Sequence, residues 1–89
     1  MTDMPSVETL RSALSKAGAA HHDYEMVYLR GVRDAHWAGW YAAHALGQLG
    51  DFMSPSRLTV LLEQTKADGD WSEAAARLVT ENASNLSSP

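Results

Sequence analysis

The chain has 89 residues, 45% hydrophobic and 20% charged, which suits one globular domain, too apolar for wholesale disorder and too interrupted for a membrane span. Eleven acidic against seven basic side chains leave a net charge of −4, and the basic residues are dispersed, so neither nucleic acid nor a membrane surface is an expected partner. The lack of cysteine excludes disulfides, thiolate metal sites and cysteine nucleophiles.

Residues 1–5 carry Asp3 where a secretory leader is basic, and no apolar run follows; they are read as an N-terminal extension of a cytoplasmic protein. Large or apolar side chains then recur at Val7, Leu10, Leu14, Ala17, His21, Tyr24 and Tyr28. This spacing of three and four predicts one face of a long helix from about Val7 to Leu29. Ser6 is placed to cap its start, with Pro5 as an alternative first residue, and Gly31 is placed to end it. Gly18, inside the pattern, marks either a close helix crossing or a tolerated glycine.

Asp34 is placed as the N-cap of a second helix that runs through Trp37, Trp40, Tyr41, His44 and Leu46 to a stop at Gly47 or Gly50. At about 100° per residue, Trp37, Trp40, Tyr41 and His44 share one face, and Ala38, Ala42, Ala45, Leu46 and Leu49 cover the flank beside it. Only His36, Gly39, Ala43 and Gly47 remain as an open wedge. A helix apolar around most of its circumference must be covered around most of it. With so few other elements, the flank containing Ala38, Ala42 and Leu46 is expected to close against a two-fold related copy, which makes a homodimer, or contact with another protein, the expected assembly.

Ser54-Pro55 opens a third helix, with Met53 stapled on Leu58, and Leu58, Leu61, Leu62 and Thr65 on its inner face. Asp68-Gly69 is expected to stop it. Asp70 caps a fourth helix, Glu73 completes a capping box and pairs with Arg77, and Trp71, Ala74, Ala75, Leu78 and Val79 form the inner face. No segment alternates with period two. The expected fold is therefore all-α, a compact four-helix domain of two antiparallel helical hairpins over residues 6–82, with a flexible tail at 83–89. An echo at an offset of 34 residues, Asp34-Ala-His-Trp37 against Asp68-Gly-Asp-Trp71, reflects shared capping chemistry rather than a repeat array.

Two constellations can carry chemistry. On a helix, His21 and His22 lie one turn from Glu25, so an imidazole can meet a carboxylate; the preferred reading is a half-buried histidine hydrogen bonded to Glu25. No metal or cofactor is expected, and if a metal were held, His21, Glu25 and His44 would be its ligands. The second constellation, Trp37, Trp40, Tyr41 and His44, brings three large aromatics to one helix face as core, as interface or as the wall of a ligand pocket. With Tyr24 these residues make up the ligand-binding candidates.

His21-His22-Asp23-Tyr24-Glu25 followed by Asp34-x-x-Trp37-x-x-Trp40-Tyr41-Ala42 resembles a group of small, largely uncharacterised bacterial helical proteins of actinobacterial type. Those often read Asp-Trp-Pro-x-Trp-Tyr-Ala, where this chain has Ala38 in place of the proline. The resemblance spans Leu14 to Leu46 and implies a bacterial origin and a joint role for both motifs, without a substrate. No catalytic signature is present. The chain is read first as a non-catalytic interaction or self-associating module. The alternative is a small enzyme or a small-molecule or metal-binding protein with a pocket between the first two helices, lined by His21, Glu25, His44, Trp37, Trp40 and Tyr41.

Overall fold

Local capping chemistry starts three of the four helices. The computed structural model of the chain describes residues 3–86 and contains α1 (Val7–Val27), α2 (Trp37–Leu49), α3 (Pro55–Gln64) and α4 (Trp71–Leu86). The Ser6 hydroxyl accepts from the Thr9 amide at 3.1 Å, the Ser54 hydroxyl from Arg57 at 3.2 Å, and the Asp70 carboxylate from Glu73 at 3.2 Å. Each supplies an acceptor to a helix-end amide that has no intrahelical partner. Among the described residues there is no strand, and no helix is long and apolar enough to cross a membrane.

The helices form a closed ring in which α1 packs on α2 and α4, and α3 packs on α2 and, more lightly, on α4. The first hairpin is antiparallel, since the end of α1 at His21 and Tyr24 meets the start of α2 at Trp40, while Thr9 and Ser12 near its beginning share a surface cleft with Gln48 and Leu49. One aliphatic core fills the ring, built from Leu10 and Leu14 of α1, Ala38, Ala42, Ala45 and Leu46 of α2, Phe52 and Met53 of the connection, Leu58, Leu61 and Leu62 of α3, and Ala75, Ala76 and Val79 of α4. Met53 and Leu58 join this core together, as the staple requires.

Several boundaries and faces differ from expectation. Helix α1 ends at Val27, because Arg30 and Gly31 take positive φ angles of 55° and 83°, and the amides of Leu29 and Gly31 turn back to the carbonyls of Tyr24 and Glu25. Tyr28 consequently leaves the predicted inner face and is 75% exposed. Helix α3 stops at Gln64 rather than at Asp68-Gly69, because Thr65 is extended and its hydroxyl donates at 3.0 Å to the Leu61 carbonyl that its amide would otherwise use. Helix α4 continues to Leu86, four residues into the segment expected as a tail; residues 87–89 lie outside those described.

The largest correction concerns α2. Its four wedge residues, His36, Gly39, Ala43 and Gly47, are all exposed as expected. Ala38, Ala42 and Leu46, however, are only 3%, 1% and 7% exposed within the single chain. Helix α3 lies on that flank and its leucines join the same core, so none of the three is left to meet a second copy.

Candidate functional site

The polar side chains collect where α1 ends and α2 begins. His21 is the one buried polar residue among those described, at 5% exposure. Its Nε2 lies 3.0 Å from Asp34 Oδ2, and its Nδ1 lies 3.8 Å from Glu25 Oε1. The second oxygen of each carboxylate is also used. Glu25 Oε2 accepts from the Asp34 amide at 2.7 Å, and Asp34 Oδ1 accepts from the His36 amide at 2.9 Å. A helix residue on α1 thus grips the connection by a backbone amide, while a connection residue grips α1 by an imidazole.

Asp34 is therefore not the N-cap of α2. The cap position is His36, which makes no side-chain capping bond, and the Asp34 carboxylate bonds the His36 amide just ahead of the helix. The bonds from His21 first, and from the His36 amide second, hold the Asp34 carboxyl below the usual carboxylate range. Burial pushes the nearby Tyr41 hydroxyl up, and the charge on Glu25 adds to this.

Aromatic rings enclose the cluster. His21 contacts Trp40 edge-on at 5.1 Å and Tyr41 at 5.2 Å between centroids, and Trp40 lies between Tyr24 at 5.7 Å and His44 at 5.4 Å in stacked geometry. Trp37, Tyr41 and Trp71 meet pairwise edge-to-face at 5.4 to 5.7 Å, the arrangement that aromatic quadrupoles favour. Trp37 and Trp71, the two members of the sequence echo, each open their helix and meet across the bundle. Gly18 is the close crossing: a Cβ added there would lie 3.2 Å from the Tyr41 hydroxyl.

Of the predicted candidates, His21, Glu25, Trp37 and Tyr41 line one shallow pocket of about 270 Å3, together with Arg33 and Asp34. Tyr24 and Trp40 back the histidine from outside that pocket. His44 does not join it. Its ring stacks on Trp40, and its Nδ1 is buried without a hydrogen-bond partner among the described residues. His44 thus drops out of the metal set, and no group of three metal-ligating side chains occurs among the described residues. The two carboxylates address opposite nitrogens of His21 and so do not converge on one point.

Sequence reasoning missed Asp34 as a partner of His21, because a capping aspartate and a clamping aspartate have the same local signature. It also missed the place of Arg33 in the pocket and of Trp71 in the aromatic cluster. Comparison with protein families, with curated proteins and with solved structures yields no match.

Proposed function

We propose that the chain is a cytoplasmic interaction module that self-associates through the tip of its first hairpin. The observation that carries this reading is the clustering of exposed apolar side chains. Among the described residues the exposed large hydrophobics are Met26, Val27, Tyr28, Val32 and Val60, and four of these five fall within seven consecutive positions at 57% to 75% exposure. Apolar side chains exposed singly are ordinary, whereas a contiguous group marks a contact surface.

The clamp supports the same reading. His21, Asp34 and Glu25 tie both sides of the turn together, so the tip is held in one shape before any partner arrives, which lowers the ordering cost of association. The tip also carries both charge signs, with Asp23 on the helix side and Arg30 in the turn, both exposed. An interface between two-fold related copies needs such self-complementarity, since each residue meets its counterpart's neighbour. The surface proposed for the second copy is thus the tip, and not the buried flank of α2.

Sedimentation equilibrium of the full chain tests this. The wild type should show a concentration-dependent mass rising from 9.7 kDa toward twice that value, and Val27→Glu should return it to the monomer without loss of helicity. A monomer at every concentration, unchanged by Val27→Glu, would contradict the reading.

A further inference from the structure

We infer that the pocket beside His21 binds a small zwitterion, an α-amino acid or a similar aminocarboxylate, through Glu25, Arg33, Trp37 and Tyr41. This does not depend on the role of the tip. Size comes first: about 270 Å3 corresponds to roughly nine water volumes, at the lower edge of ligand cavities, and admits a molecule of few heavy atoms.

Charge narrows the class. Both oxygens of Asp34 are committed, one to His21 and one to the His36 amide. Glu25 commits Oε2 to the Asp34 amide, while its Oε1 has only His21 Nδ1 nearby, at 3.8 Å and beyond hydrogen-bond reach. Arg33 lines the same pocket yet forms no ion pair among the described residues. Glu25 and Arg33 therefore line a common space without pairing with each other.

A simple cation would meet the opposing charge of Arg33, and a simple anion would meet those of Glu25 and Asp34. A molecule carrying an ammonium and a carboxylate a few bonds apart answers both, with the ammonium on Glu25 Oε1 and the carboxylate on Arg33, whose planar fork suits it. Trp37 and Tyr41, 5.4 Å between centroids, complete a lining that is mostly polar, which suits the charged end of such a molecule more than its side chain. A divalent metal is disfavoured because the carboxylates lie on opposite nitrogens of His21.

The test is a titration of the 15N-labelled full chain with three probes: L-valine, isobutylamine for the amine alone, and isovalerate for the carboxylate alone. L-Valine should give saturable shifts at the Trp37 indole N–H and the Arg33 and Asp34 amides, with each half-probe at least about tenfold weaker. Arg33→Gln should reduce valine to the level of isobutylamine, and Glu25→Gln, which keeps an acceptor for the Asp34 amide, should reduce it to the level of isovalerate. Non-saturating shifts, equal binding of all three probes, or an Arg33→Gln variant that binds valine unchanged would overturn the inference. Arg33 is exposed, so that variant decides the matter even if Glu25→Gln disturbs the fold.

Discussion

The side of the ring formed by α3 and α4 and the mouth between α1 and α2 are held together by different physics. On the first side Leu58, Leu62, Ala75, Ala76 and Val79 are fully buried, and closure rests on removing aliphatic surface from water, a force without direction or charge. At the mouth, Tyr24, Trp37, Trp40 and Tyr41 are only half buried, and the elements are fixed by oriented ring contacts and by the carboxylate bonds to His21 and to the connection. Small domains cannot bury everything, and this one leaves its directional, titratable contacts at the end where surface remains open.

The contrast is broken most sharply in the aliphatic core. Leu58→Ala should destabilise the fold by about 3 kcal/mol or more, because it deletes a fully buried side chain and leaves a cavity. Chemical denaturation should show this loss at every pH between 4 and 8 alike, within roughly the precision of the extrapolation. Trp40→Ala comes next, at about 2 to 3 kcal/mol, since the indole is only partly buried but supports Tyr24, His21 and His44 at once. A loss below about 0.5 kcal/mol would mean that the ring cluster is a surface feature with no part in stability.

At the mouth the response should depend on pH. The Asp34 carboxyl is held below its ordinary value, so its contribution is present above the unfolded-state pKa and is lost as pH falls through the lower folded-state value. Asp34→Asn should be less stable than wild type at neutral pH and should lose that difference in acid, so that the two denaturation midpoints converge. A constant gap across the acid range would show that His21 and Asp34 are not coupled. The smallest effects concern glycines. Gly39→Ala, in open space on α2, should stabilise by about 0.5 to 1 kcal/mol, whereas Gly18→Ala should give less than that because its methyl presses on the Tyr41 hydroxyl.

These two regions were also unequally legible in the sequence. Helix starts at Ser6, Ser54-Pro55 and Asp70 could be read because a cap acts within three residues, and the exposed wedge of α2 followed from periodicity alone. What covers an apolar flank is a tertiary matter. The circumference of α2 announced that Ala38, Ala42 and Leu46 must be buried, but nothing local said that α3 would do it instead of a second copy. The periodicity of α1 likewise ran on to Tyr28, past the point where the left-handed Arg30 turns the chain. In the candidate site, His21 with Glu25 was legible as an i, i+4 pair. Asp34, thirteen residues beyond His21, was seen only as a cap, and His44 was credited with a convergence it does not make, since its ring stacks on Trp40 and it does not line the pocket.

Side chains clamp the connection between α1 and α2 to α1, so that tip and pocket are preformed. Amide hydrogen exchange at Asp34 tests this clamp most directly, because this amide lies outside any helix and its bond is to Glu25 Oε2. Protection at Asp34 should stand well above that of an unstructured loop, and should be lost in Glu25→Ala while the amides of α3 keep theirs. Exchange at Asp34 as fast as in an unstructured loop, with or without Glu25, would contradict it.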